Sequence, residues 1–276
     1  MPVKFPGKEW KEEARTLVKE GKASPLLVSA VYLGIVLVLE VLSYLLSQSV
    51  FVSILSSLFP MVLSAGMVLF CMGLRRRETM PLSTLFDGFR FTGKVLGVQI
   101  LKGLLFFAAT MAGCMVASLF LSLLGSLLWG DAFTEMMTAS VALLQEAELL
   151  TPELVAQIRP ALMLSLVTLL LGSIPAVVIS YRYRFAMYIL CRTPEAKVLS
   201  CLRLSHSQTE GVKKQLFLLD LSFFGWGLLS LVTFGLLLLW VVPYYTIVNL
   251  SAYEYCVQQS GSDPVPEDPS QKIDSL

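Results

Sequence analysis

Residues 26–46 read LLVSAVYLGIVLVLEVLSYLL, a stretch in which Glu40 is the one charged side chain. At about 1.5 Å per helical residue, such a run is long enough to cross a hydrocarbon core roughly 30 Å thick. The link that follows, Ser47-Gln48-Ser49, leaves room only for an antiparallel return. Residues 50–74 then form a second span beside the first. The same reading continues along the chain, with further apolar runs at 95–128, 161–179, 216–233 and 236–256. The expected fold is all-α: a polytopic membrane bundle of about six transmembrane helices over residues 25–256.

Composition agrees with this. Of the 276 residues, 55% are hydrophobic and only 15% are charged, and the mean hydropathy is +0.72, against about 45–50% apolar and about 25% charged in soluble domains. The net charge of +1 exerts no global pull toward nucleic acid. Five cysteines without a CxxC pair, together with a single histidine, argue against a structural zinc site. No Walker A, HExxH or dinucleotide-binding glycine pattern occurs, so no metal and no cofactor is expected. His206, among Ser205, Ser207 and Thr209, has no second histidine and no nucleophile elbow near it.

Between the spans, charge sets the organisation. Residues 1–24 hold six basic and four acidic side chains, and Trp10, Ala14, Leu17 and Val18 share one helical stripe. This predicts an amphipathic helix lying on the cytoplasmic membrane surface. The segment from Arg75 to Lys94 carries five basic residues against two acidic ones, with Phe86, Phe89 and Phe91 interleaved, as suits an interfacial turn or short helix. Residues 95–129 are longer than a bilayer needs, so that span must tilt, protrude or break near Gly125. Residues 131–159 hold five acids and one base and form an external amphipathic segment, and Thr151-Pro152-Glu153 reads as the start of a new helix. The tail, residues 257–276, is polar and expected to be disordered.

Orientation follows from the bases. Nineteen of the 21 lysines and arginines fall on one side of the six-span scheme, which places both termini in the cytoplasm. The same loops suit anionic lipid headgroups.

Ionisable residues inside a span cost about 2.5–3.5 kcal/mol at its centre, which singles out Glu40, Lys102 and Asp220. Counted along the helices, Lys102 and Asp220 lie at similar depth and can pair, whereas Glu40 is deeper. Glu40 would be protonated, hydrogen-bonded to Ser56 or Ser64, or directed into a polar cavity. Ala109, Gly113 and Ala117 form a small-residue stripe for close helix packing, within the protomer or between copies. Gly225, Gly227 and Gly235, around Trp226, read as thin places in the last hairpin, and Pro243 should kink the final span.

Several stretches carry a resemblance. Ile174-Pro175 leads to Tyr183 and to Tyr188-Ile189-Leu190. Leu219-Asp220-Leu221-Ser222-Phe223-Phe224-Gly225-Trp226 is followed by Leu239-Trp240-Val241-Val242-Pro243-Tyr244, and Leu85-Phe86-Asp87-Gly88-Phe89 stands in the first basic loop. These resemble a bacterial integral membrane family catalogued as domain of unknown function nine-seven-five, most specifically over Ile174–Tyr255. The resemblance implies a six-helix protein of the bacterial plasma membrane and brings no activity with it.

The expected function is therefore non-enzymatic: an accessory, scaffold or regulatory membrane subunit, with a membrane protein partner or a second copy. A small transporter or lipid-handling protein using Glu40 and the helix kinked at Pro243 is the alternative. A third class, an intramembrane enzyme, would need a paired nucleophile and base that the sequence does not offer.

Overall fold

The structure, a computed structural model, describes residues 5–20, 25–46, 50–146 and 151–261. Its α-helices are α1 (Gly7–Glu20), α2 (Pro25–Leu45), α3 (Val50–Arg75), α4 (Thr92–Trp129), α5 (Asp131–Glu146), α6 (Pro152–Arg182), α7 (Ala186–Arg192), α8 (Val198–Gln208), α9 (Lys213–Val232) and α10 (Leu238–Ser260), with a 3₁₀ helix at Leu82–Phe91. No strand occurs among the described residues. Among the described residues, five helical stretches are long and apolar enough to cross a membrane: Pro25–Leu45, Val50–Arg75, Leu82–Trp129, Val155–Arg192 and Lys213–Val232. The fold is an all-α polytopic bundle. The Ser47-Gln48-Ser49 link, residues 147–150 of the acidic segment and residues 262–276 of the tail lie outside the described residues.

The chain divides into two compact units, Met1–Leu101 with Tyr181–Leu276, and Lys102–Ser180. In the first, α10 is the central helix, with α1, α2, α3, α8 and α9 packed on it. The expected sixth span, 236–256, falls on this helix. Tyr244 and the run Ile247–Tyr253 are buried, and Asn249, Ser251 and Glu254 lower the hydropathy of the second half. A helix surrounded by protein needs no apolar outer face. It also runs on to Ser260, past the expected tail boundary, and ends at the left-handed Gly261.

The stripe on α1 is real, but it serves the protein interior. Trp10, Ala14 and Val18 are 8%, 0% and 4% exposed, and Phe5, Trp10 and Tyr255 form an edge-to-face aromatic cluster. Arg75, at the end of α3, reaches Glu254 at 3.1 Å and Glu13 at 3.8 Å and donates to the Ser251 hydroxyl. Helix α1 is thus clamped to α3 and α10, not left to lie on a membrane surface.

The 3₁₀ helix crosses α3 where neither backbone carries a side chain. A Cβ on Gly66 would overlap the Leu85 carbonyl oxygen, and one on Gly88 would stand 2.6 Å from the Val62 carbonyl oxygen. Helix α3 then stops in a Schellman turn: Glu78 N–H donates to the Gly73 carbonyl and Arg77 N–H to the Leu74 carbonyl. Arg77 takes the left-handed conformation there (φ 59°), a place usually held by glycine.

The second unit contains α4 from Lys102 onward, α5 and α6 up to Ser180. Helix α4 continues unbroken for 38 residues. Gly125 does not break it but makes room for the Phe133 ring of α5, which lies 2.5 Å from where a Cβ would stand. Helix α6 starts at Pro152, with Val155 N–H donating to the Thr151 carbonyl at 3.0 Å. It runs through Pro160 and Pro175, so the expected span 161–179 is the middle of a longer helix.

Cys71, Cys191, Cys201 and Cys256 are buried and Cys114 is half-exposed; all five are free thiols. Burial pushes the Cys201 thiol up to about 11, and only the thiolate alkylates. In the folded protein at pH 7, a maleimide should therefore leave the four buried thiols unmodified. Mass spectrometry before and after unfolding checks this; prompt native labelling of Cys201 at pH 7 would contradict its burial.

Candidate functional site

Within the first unit, five polar side chains converge at one place. Tyr181 belongs to the last turn of α6, and Arg184 to the turn that joins α6 to α7. That turn is pinned by α8. Phe185 N–H donates to the Ser205 hydroxyl at 3.1 Å, and Ser205 and Thr209 donate to the Arg182 carbonyl at 3.2 and 3.1 Å. Asp220 projects from α9, and Tyr245 and Asn249 lie one turn apart on α10.

Arg184 and Asp220 form a two-pronged pair. Nη1 donates to Oδ2 at 2.5 Å and Nη2 to Oδ1 at 2.7 Å. Tyr181 donates its hydroxyl to Oδ2 at 2.7 Å and Tyr245 to Oδ1 at 3.0 Å. Each carboxylate oxygen therefore accepts two hydrogen bonds. On the cation side, Nε donates to Asn249 Oδ1 at 2.9 Å, Nη2 also reaches that oxygen, and Nη2 lies 3.2 Å from the Tyr245 hydroxyl. The Asn249 amide donates to the Tyr245 carbonyl at 2.9 Å, which fixes its orientation. The arginine and aspartate side chains are 12% and 25% exposed.

A fork-to-fork arginine–carboxylate pair whose two carboxylate oxygens each accept two hydrogen bonds is strong and geometrically demanding. Within the first unit it fastens the turn before α7 to α9 and α10.

The other singled-out residues fall elsewhere. Asp220 pairs with Arg184, and Lys102 is half-buried on α4. Glu40 is exposed on α2. The hydroxyls offered to it serve their own helix, Ser56 donating to the Ser53 carbonyl and Ser64 to the Met61 carbonyl. Ala109, Gly113 and Ala117 lie on α4 in the second unit. There α4 and α6 cross backbone to backbone, a Cβ on Gly172 falling 2.6 Å from Cys114 Cα and one on Gly113 overlapping the Gly172 carbonyl. The stripe is thus used inside the protomer.

Gly225 is a correction. Like Gly227 it is exposed, and a Cβ there would meet nothing within 4 Å, so neither thins a helix contact. Trp226 does pack, with its ring 5.3 Å from Trp240, which stacks on Tyr244 at 4.6 Å. Pro243 is buried inside α10, leaving the Leu239 carbonyl without its usual donor two residues before Tyr245.

Arg184, Tyr181, Tyr245 and Asn249 escape a sequence reading. Tyr181-Arg182-Tyr183-Arg184 looks like an interface anchor, and counting its arginines for orientation hides the one that turns inward. The spacing of Tyr245 and Asn249, one turn apart on a helix that already carries Pro243, is the available signal.

Helices of crossing length, with a largely buried, internally neutralised polar node in the first unit, define an all-α polytopic bundle. The chain belongs to a particular family of them: the family model described as protein of unknown function (DUF975) matches residues 5–260. No curated protein and no solved structure matches it.

Proposed function

We propose that the protein is a non-enzymatic accessory or scaffold subunit, resident in a bacterial plasma membrane with both termini cytoplasmic and joined laterally to another membrane protein. The carrying observation is Glu40. It stands five residues before the end of α2, on the face of Leu37, Val41 and Tyr44, which are 64%, 49% and 82% exposed. These positions follow a 3–4 helical spacing with Glu40 among them. A carboxyl on that face is costly in hydrocarbon, by up to about 2.5–3.5 kcal/mol at a helix centre, unless a neighbouring helix supplies a donor or a cation. Support also comes from Asp220, whose two carboxylate oxygens each accept two hydrogen bonds from within the protein. Such a node serves as structure, whereas transport would need polar groups able to exchange partners.

A photocrosslinking side chain at Val41, activated in native membranes, tests the reading. The expected product is one discrete species containing a different membrane protein. Glu40→Leu should reduce it threefold to thirtyfold, the range implied by roughly 0.6–2 kcal/mol for an intramembrane polar contact, while Glu40→Gln should retain most of it. A product of twice the chain's own mass would make α2 a self-association face and end the accessory reading. Crosslinks to lipid alone would end it too.

A further inference from the structure

A groove of about 1030 Å³ opens in the first unit between the last turns of α3, the 3₁₀ helix, the start of α4 and the segment after α7. Four cations line it from four stretches of chain: Arg76, Arg90, Lys94 and Arg192. The ion pairs among the described residues involve Arg75 and Arg184, and none of these four. Lys94 donates to the Pro194 carbonyl at 2.7 Å, which holds the 194–195 segment against α4 without neutralising the ammonium. Three acids, Glu78, Asp87 and Glu195, share the same walls and are likewise outside those ion pairs. The floor is apolar, with Leu69, Met72 and Phe91 among its residues.

The position is as informative as the lining. The groove lies where α3 leaves its apolar run at Arg75-Arg76-Arg77 and where the next crossing stretch begins, the depth at which phospholipid headgroups stand. The left-handed Arg77 turns the chain so that Arg76 and Glu78 on either side of it both reach the groove.

We propose that this groove is a phospholipid headgroup site that selects for headgroups carrying hydrogen-bond donors. The phosphodiester is the anion for Arg76, Arg90, Lys94 and Arg192, through charge-assisted hydrogen bonds. The ammonium of an ethanolamine or the hydroxyls of a glycerol headgroup are the donors for Glu78, Asp87 and Glu195. The first acyl carbons rest on the apolar floor. A choline headgroup has a phosphate but no N–H or O–H, so it leaves the acids unsatisfied. The acids thus act as a filter that a purely basic patch would lack. This site is separate from the α2 face, and the assignment does not depend on lateral association.

The test is native mass spectrometry of the full chain, delipidated in neutral detergent. It is titrated with phosphatidylethanolamine, phosphatidylglycerol and phosphatidylcholine of identical acyl chains, and separately with glycerol phosphate. One ethanolamine or glycerol lipid should bind at least tenfold more tightly than the choline lipid. Arg90→Gln with Arg192→Gln should lower that affinity at least tenfold while leaving the lipid-free unfolding temperature unchanged. Arg203→Gln, on an exposed face of α8 outside the groove, should not change it. Equal binding of the choline lipid, unaltered binding by the double variant, or an equal loss in Arg203→Gln would overturn the proposal. Glycerol phosphate binding as tightly as lipid would overturn it in favour of a soluble organophosphate.

Discussion

Asp220→Ala should destabilise the folded chain by about 3–5 kcal/mol, the cost of leaving a buried charge uncompensated. Arg184 is 12% exposed, and the turn that carries it is tied to Ser205 and Thr209, so the guanidinium cannot swing out to water. Without the carboxylate it keeps only Asn249 Oδ1 and the Tyr245 hydroxyl as acceptors. Unfolding in detergent, followed by the fluorescence of Trp226 and Trp240, gives the measurement. The double variant Asp220→Leu with Arg184→Met should recover most of the loss, because removing both charges removes both desolvation penalties. Tyr245→Phe should cost about 1.5–3 kcal/mol, one hydrogen bond to a charged group. If Asp220→Ala unfolded where the wild type does, the pair would not be the fastening described here.

What hydropathy shows in a sequence is which stretches are apolar; it does not show what covers them. The crossing lengths of α2, α3, α4, α6 and α9 are therefore legible. The Thr151-Pro152-Glu153 start of α6 is legible too, because its chemistry is local. The stripe Trp10, Ala14 and Val18 is equally visible, yet a lipid surface and a protein surface ask for the same residues, and only the fold reveals α10 as the partner. Helix α10 shows the converse. Its 23 residues suffice to cross a bilayer, but Asn249, Ser251 and Glu254 mark it as covered by protein. The Arg184–Asp220 pair bridges 36 positions, and no spacing rule connects residues so far apart. Counting Arg184 with the other cations for orientation removes its individuality.

Glycines are where composition misleads most. Gly225 and Gly227 flank a tryptophan and look like contact points, yet open space surrounds them. Gly66 attracts no notice in the sequence, and Gly88 only as a member of the 85–89 stretch, yet the two hold a backbone-to-backbone crossing in the first unit. A glycine signals either a close approach or nothing, and the neighbour that decides is another segment's backbone. In the second unit Gly113 had a visible motif around it, the alanines at 109 and 117. Gly172, the other half of that crossing, had none.

Gly66→Val should accordingly be among the most damaging single substitutions in the chain, by about 3 kcal/mol or more, at or beyond the usual range for overpacking. The obstacle is the Leu85 carbonyl, part of a backbone that cannot rotate away as a side chain could. Gly88→Ala meets the Val62 carbonyl from the other side and should cost about 1–3 kcal/mol. Gly225→Ala supplies the matched control: it adds the same methyl group to an exposed helical position and should be neutral or stabilise by up to about 1 kcal/mol. Unfolding midpoints of the three variants in one detergent decide the matter, and a Gly66→Val protein as stable as Gly225→Ala would refute the crossing. The consequence extends to the groove. The 3₁₀ helix that Gly66 and Gly88 seat against α3 also carries Asp87 and Arg90, one acid and one cation of its walls. Where Gly88→Ala still folds, it shifts that segment away from Arg76 and Arg192, and headgroup affinity should fall although no charge has been removed.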